Sequence, residues 1–220
     1  MGRKLRCCML VAALAAAVQA AEGATPLEPD LVRVPSRTLD EVYWRAGSDV
    51  AAHRRVVLDA PRVEFTKDWL KRMNESRGVA RRIDPADAGQ IADGMALAMR
   101  EAVMQALLEQ GYEIVTVAAP GVLRLSPSIV DLYVNAPYVP MPGIDVGIVH
   151  QDAGEATMRL EVRDAATGTM LARIVDRDVA LTIGGYEQAT SVSNLFWFEG
   201  MFRRWAGDCV RQIRAGAPQR

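Results

Sequence analysis

Cysteine and histidine are scarce in this sequence, which contains three Cys and two His among its 220 residues. Cys7 and Cys8 lie in an N-terminal stretch that we expect to be removed, so Cys209 would have no intrachain partner and a disulfide framework is excluded. A buried free thiol at Cys209 is the expected state. Neither His53 nor His150 belongs to a spacing typical of metal ligands, so we predict no metal site and no cofactor.

Familiar catalytic motifs are also missing. The sequence has no G-x-S-x-G turn for a serine nucleophile, and no glycine-rich loop that precedes a helix as a phosphate site requires. Asp145, His150 and Asp152 lie close together in one polar loop, which by itself says little about metal binding or general-base chemistry. We therefore predict no catalytic residues and keep an enzyme with an unrecognised site as the third hypothesis.

Neither sign of charge is in excess. Lys and Arg number 26 against 27 Asp and Glu, which gives a formal net charge of −1 at pH 7. Loss of Arg3, Lys4 and Arg6 with the N-terminal stretch would move the charge from −1 to −4. A nucleic-acid-binding protein usually carries a basic footprint, so we expect no nucleic-acid partner.

The N-terminus has the pattern of an export signal. A basic start precedes an uncharged run from Cys7 to Val18, and Val18-Gln19-Ala20 supplies small residues at the exit. This pattern predicts a signal peptide over residues 1–20, cleaved between Ala20 and Ala21, and a periplasmic protein. The run is shorter than the roughly 20 apolar residues of a membrane span. An N-terminal helix of the folded domain and a retained anchor are the alternatives.

A lipid anchor is not expected. A lipid-modified Cys follows the apolar run of its signal, at the cleavage point. Cys7 and Cys8 precede the run, and Ala20 and Ala21 stand where that Cys would be.

The rest of the chain predicts one domain. Residues 21–40 contain three prolines and read as an extended lead-in, and residues 41–220 form a single α+β domain. Residues 54–65 predict a strand that Pro61 places at an edge or a bulge. Asp84 can cap a helix that begins with Pro85, runs to Gln110 and ends at Gly111.

Four further strands follow this helix. Residues 112–118 are rich in β-branched side chains and predict a strand. Residues 122–135 predict a longer strand. Its apolar residues change from odd-numbered to even-numbered positions, so we expect a bulge near Ser126-Pro127-Ser128 that keeps them on one face. Clean alternation over residues 155–163 and a return over 169–183 predict a β-hairpin with its tip at Asp164–Gly168.

A closing helix is predicted from near Ser191 or Ser193 to about Ala215. Its apolar residues step by three or four along one face, which favours a core-facing stripe over a partner-binding surface. The stripe consists of Leu195, Phe198, Phe202, Trp205, Cys209 and Ile213. The predicted fold is α+β, a mostly antiparallel sheet with two amphipathic helices packed on one face.

The proline-rich connection over residues 136–154 holds the candidate binding residues. Tyr138, Val139 and Met141 stand between prolines that keep the backbone extended, and aromatic anchors are favoured at interfaces. The alternative is that they fold back on the sheet edge.

Several segments together resemble a known family. Pro120–Leu125, Val130–Leu132, Leu160–Ala172 and Trp205-Ala206 are similar to a bacterial envelope family, lipoprotein-like and known as domain of unknown function 3313. The resemblance implies an α+β envelope protein but no particular activity. Many relatives carry a lipid-anchoring Cys after the signal, which this chain lacks.

We therefore predict an exported, non-catalytic protein that binds an envelope protein partner or assists an envelope assembly. A small-molecule or lipid-binding module, with a cleft between helices and sheet, is the second hypothesis. The oligomeric state and the identity of the partner stay open.

Overall fold

A computed structural model describes residue 28 and residues 30–75, 77–78, 82–135, 148–150, 152–181, 187–189 and 191–216. The strands are β1 (Leu31–Val34), β2 (Glu41–Arg45), β3 (Arg55–Leu58), β4 (Arg62–Phe65), β5 (Glu113–Ile114), β6 (Val122–Val134), β7 (Ile148–His150), β8 (Asp152–Asp164), β9 (Met170–Leu181) and β10 (Glu187–Ala189). The helices are α1 (Trp69–Glu75), α2 (Pro85–Glu109) and α3 (Ser191–Ala215), with a 3₁₀ turn at Val50–Ala52.

The main sheet has the order β1-β2-β9-β8-β6-β3-β5, and β4 also pairs with β6. The β1–β2, β2–β9, β9–β8 and β8–β6 pairs are antiparallel, whereas β3 and β4 run parallel to β6 and β5 runs parallel to β3. A separate two-stranded sheet joins β7 to β10. The prediction of an α+β fold with a mostly antiparallel sheet is confirmed.

Two prolines explain why the outer partner of β6 is split into β3 and β4. β3 pairs with β6 as far as Leu125, and β4 resumes the pairing at Ser128. Pro61 lies in the break between the two strands, and Pro127 lies opposite it on β6. Proline has no N–H to donate, so both residues fall where the ladder does not need one.

The bulge in β6 lies further along than we predicted. Pairing with β8 runs without a break through Ser126, Pro127 and Ser128, and the register shifts between Val130 and Tyr133. Asp131 sits there with φ +52°, a left-handed conformation that turns the strand. The position predicted from the sequence is therefore wrong, because the face switches only after Ile129.

Helix α2 begins and ends where the sequence predicts. The Asp84 carboxylate accepts hydrogen bonds from the N–H groups of Ala86 and Asp87, and the Asp87 side chain accepts one from the Asp84 N–H. This reciprocal cap satisfies donors that the first turn would otherwise leave unpaired. Gly111, at φ +77°, ends the helix.

The two long helices contact each other and the sheet. Helix α2 contacts β4, β5 and β6, whereas α3 contacts β8 and β9. Their buried side chains share one core with the sheet. From α3 this core includes Phe198, Met201, Phe202, Trp205, Ala206, Cys209, Val210 and Ile213. The core interpretation of the α3 stripe is therefore correct.

Two elements differ from the sequence prediction. β1 forms inside the segment predicted as a lead-in, where Leu31 is buried. The strand predicted over residues 112–118 shrinks to Glu113–Ile114, because only those residues find a partner, in β3.

The β8–β9 hairpin forms as predicted, with its tip between Asp164 and Met170. Asp164 Oδ1 accepts hydrogen bonds from the N–H groups of Ala166 and Thr167, at 3.0 Å and 2.7 Å. Gly168 then adopts φ +73°, which a residue with a side chain rarely adopts. The tip thus depends on one turn carboxylate and one glycine.

Gly168→Val should lower the free energy of unfolding by about 1 kcal/mol or more, because valine disfavours positive φ. An added Cβ would meet no atom within 4 Å, so the cost is conformational and not steric. Thermal denaturation of the purified variant measures it. An unchanged midpoint would show that the tip relaxes into another turn.

Candidate binding face of the sheet

The sheet has a core face and an opposite face that we call the open face. Along β8, Ala156, Met158, Leu160 and Val162 are buried, and the residues between them are half-buried. Successive strand side chains point to opposite sides, so the half-buried set lies away from the core. The open face consists of Glu41, Tyr43, Arg45, Arg124, Ser126, Ser128, Val130, Tyr133, Glu155, Thr157, Arg159, Glu161, Arg163, Arg173, Val175, Arg177 and Val179.

One end of the open face is held by a chain of ion pairs. Arg45 reaches Glu28 at 2.5 Å and Asp30 at 2.8 Å, and its Nε donates to the Met170 carbonyl at 2.6 Å. Glu28 also lies 3.5 Å from Arg163. These contacts connect β2, β8 and the segment before β1, so their side chains are fixed in place.

Glu161 is the most enclosed acid of the open face. It receives hydrogen bonds from Arg163 and Arg173, both at 3.0 Å. Its side chain is 13% exposed, and that of Arg173 is 7% exposed. Burial tends to raise the pKa of Glu161, but the hydrogen bonds and charges of both arginines outweigh it and lower the pKa. The carboxylate therefore stays ionised and paired at neutral pH.

The rim of the open face carries two more pairs. Arg124 Nε lies 2.8 Å from an Asp59 carboxylate oxygen, to which Ser126 Oγ also donates at 2.6 Å. Arg177 pairs with Glu155 at 2.9 Å. These side chains are more exposed than the Glu161 pair, so each contributes little to stability.

Arg159 differs from the other arginines of the three long strands. Arg124, Arg163, Arg173 and Arg177 each pair with an acid, whereas Arg159 forms no ion pair with any described residue. Its Nε is buried and has no hydrogen-bond partner among those residues. The middle of the open face therefore holds a cation without a counter-ion in the described part of the chain.

A second charged cluster lies where β9 meets α3. Desolvation and the charges of Asp40, Asp178 and Asp208 raise the pKa of Asp176 to about 6, although the Asp40 N–H donates to it at 3.1 Å. Two arginines lie beside this cluster, and each pairs with one of its aspartates. Arg204 binds Asp178 at 3.2 Å, and Arg211 binds Asp208. The ionised form of Asp176 is thus disfavoured by burial and by repulsion from three neighbouring aspartates.

Stability should fall as pH rises through about 6, because the folded pKa of Asp176 lies above its unfolded value of about 3.9. The folded state favours the protonated acid, and that stabilisation is lost once the acid must ionise. Asp176→Asn should therefore raise the free energy of unfolding at pH 8 by about 1 kcal/mol, since solvent screens part of the effect. Urea denaturation at pH 5.5 and pH 8 measures the difference.

Asp178→Asn is the matched control for this pH dependence. Asp178 already has Arg204 as a partner, so its replacement should leave most of the pH dependence in place. Equal pH profiles for wild type and Asp176→Asn would contradict the assignment. The acids with lowered pKa, Glu161, Asp59 and Asp164, lose their stabilisation only in more acidic solution.

Cys209 is a free, fully buried thiol, as the sequence predicts. Burial raises its pKa well above the ordinary value, and the charges of Asp176 and Asp208 raise it further. A thiol in that state is a poor nucleophile. Cys209 therefore packs in the core as an unreactive thiol.

The residues predicted for binding, Tyr138, Val139 and Met141, lie outside the described residues, as do Ala20 and Ala21. The described part of the chain contains no cluster of three or more His, Cys, Asp or Glu that could hold a metal ion. None of its helices is long and apolar enough to cross a membrane.

Sequence reasoning missed the open face as a site. The alternation of Arg159, Glu161 and Arg163 with apolar residues predicts a strand but does not identify a site. Arg163 pairs with Glu161 on its own strand, but Glu28 and Arg173 come from other elements, so spacing alone could not reveal that Arg159 has no ion pair among the described residues. The detectable signal was the number of arginines at alternate positions of two paired strands.

The fold and this face define an α+β domain whose sheet has one core side and one charged, arginine-rich side. The chain belongs to the family described as Protein of unknown function (DUF3313), whose model matches residues 30–209. The membership of domain-of-unknown-function family 3313 that the sequence predicts is therefore confirmed, and the envelope nature of the protein stays a prediction.

Other comparisons add fold-level likenesses only. No curated protein matches the chain. The PelC dodecamer from Paraburkholderia phytofirmans is 10% identical, covers 76% of this chain and 96% of its own, and has a TM-score of 0.36. A putative neuraminyllactose-binding hemagglutinin homolog from Helicobacter pylori is 11% identical, with coverages of 74% and 82% and a TM-score of 0.32.

A PDZ domain protein from Parabacteroides distasonis is 8% identical, with a TM-score of 0.40. The likeness covers 81% of this chain and 35% of that chain. All three scores are below 0.5, so these structures carry no argument about function.

Proposed function

We propose that this chain is an exported, non-catalytic protein of the bacterial envelope that binds a protein partner through its open face. The proposal is supported by the way in which ion pairs and burial hold the side chains of that face in place. Glu161, Arg163 and Arg173 are paired and largely buried, although they lie on the side of the sheet away from the core. Arginine is enriched at protein interfaces, and a fixed side chain loses little entropy on binding.

Export is the second part of this proposal. It rests on the basic start, the apolar run and the Val18-Gln19-Ala20 exit of the sequence. Mass spectrometry of a periplasmic fraction should find a mature N-terminus at or near Ala21. An intact Met1 in protein purified from the cytoplasm would contradict export.

Site-specific photocrosslinking in intact cells tests the binding face. A benzoylphenylalanine at Thr157, on the open face, should give a protein adduct, whereas one at Gly89, on the exposed surface of α2, should give none. A third position, Tyr138, tests whether the proline-rich segment contributes. Adducts at Tyr138 alone would move the binding surface from the sheet to that segment, and adducts at no position would contradict the proposed function.

A further inference from the structure

We infer that Arg159 anchors a carboxylate of an acidic protein partner at the centre of the open face, an inference that rests on the proposed partner-binding function. The position follows from the register of the three long strands. Arg159 on β8 lies between Ser128 on β6 and Val175 on β9. It therefore has a strand on each side and lies at neither edge of the sheet.

The chemistry follows from what surrounds the guanidinium. Arg159 Nε is buried and meets no acceptor among the described residues. A buried donor without an acceptor is unfavourable, and an arginine offers a planar fork that matches a carboxylate with two parallel hydrogen bonds. An incoming carboxylate would supply the missing counter-ion.

The acids of the same strand are not available for this role. Glu161 already accepts from Arg163 and Arg173, and Glu155 pairs with Arg177. If either acid turned toward Arg159, it would leave another arginine of the open face unpaired. Among the described acids of the open face, Glu155 and Glu161 are paired with other arginines and Glu41 accepts a hydrogen bond from the Tyr43 hydroxyl, so we infer that the acid comes from a second molecule.

A protein fits this face better than a membrane surface or another polyanion. Glu155, Glu161 and Asp59 place negative charges around Arg159, and they would repel a ligand with closely spaced phosphates. A protein can present one acid opposite Arg159 and cations or neutral groups opposite the three acids. Val175 and Tyr43 offer half-buried apolar contact beside the charges.

Charge reversal combined with crosslinking tests the inference in the full-length protein in its native host. With benzoylphenylalanine at Thr157, we expect the adduct of the otherwise wild-type chain to contain a partner segment with Asp or Glu. Arg159→Glu should reduce the adduct yield by about tenfold or more, because it places two acids in contact. Replacing the partner acid with Arg should restore the yield in the Arg159→Glu chain.

Arg100→Gln is the matched control, because it removes an exposed arginine of α2, which lies away from the open face. Its adduct yield should stay near that of wild type. Circular dichroism melts must show that both variants fold, and Arg159→Gln replaces Arg159→Glu if the reversed charge prevents folding.

Three outcomes would overturn the inference while the proposed function survives. They are an Arg159→Glu yield equal to wild type, a crosslinked segment without an acid, and a crosslink to lipid together with a protein adduct at another position. The absence of any protein adduct, at Thr157, at Tyr138 and elsewhere on the surface, would instead remove the proposed function itself.

Discussion

Trp205→Ala should lower the free energy of unfolding by about 3–5 kcal/mol, the usual cost of deleting a large buried ring. Trp205 lies on the buried stripe of α3, is 3% exposed and belongs to the core shared with the sheet. A loss of that size is a large part of the roughly 5–15 kcal/mol that stabilises a domain. Chemical denaturation of the purified variant, with urea midpoints compared at constant pH, measures it.

Trp205→Phe is the control, and it should cost less than about 1.5 kcal/mol. Its ring keeps most of the apolar contact, and it removes an indole Nε1–H that is buried without an acceptor among the described residues. A midpoint for Trp205→Ala equal to that of wild type would show that this part of α3 contributes little to the core. The helix would then become a candidate interface.

Gly154→Ala should be destabilising by about 2–4 kcal/mol, through strain and overlap together. Gly154 lies at the β8 bulge, pairs with Val134 of β6 and adopts φ +136°, where side chains are disfavoured. A Cβ there would also fall far inside contact distance of the Tyr133 carbonyl oxygen. The neighbour is backbone, so β6 and β8 would have to separate to make room.

Gly168→Ala is the control that separates backbone strain from steric overlap. Gly168 also has positive φ, but a Cβ at that position meets nothing within 4 Å, so its replacement should cost only about 1 kcal/mol. Hydrogen exchange near the junction of β6 and β8 should accelerate in Gly154→Ala and stay unchanged in Gly168→Ala. Equal stability of the two variants would show that the bulge adapts to a side chain.

Elements with a local physical signature could be predicted from the sequence. Asp84, Pro85 and Gly111 mark the ends of α2 by capping chemistry, and Asp164–Gly168 marks a turn between two alternating strands. The same local reasoning failed for the bulge of β6. Val130 continues the apolar pattern but lies on the open face, since the backbone turns one residue later, at Asp131.

The candidate site could not be predicted, because it depends on contacts between distant residues. Glu28 meets Arg163, Asp59 meets Arg124, and Glu161 meets Arg173 across the β8–β9 pair. No spacing rule connects these residues. Arg159 has no ion pair once the described pairs have formed, and this can be recognised only when the strand register is known.

The pairing of β2 with β9 has a consequence for how the chain folds. Trp44 lies opposite Ala172, and Val42 lies opposite Ile174, so the β1–β2 hairpin cannot dock until a strand from much later in the sequence is in place. Closing so long a loop is entropically costly and slows folding. Until then, the core side chains Val42 and Trp44 of β2 are unprotected, so the growing chain exposes an aggregation-prone hairpin through most of its synthesis.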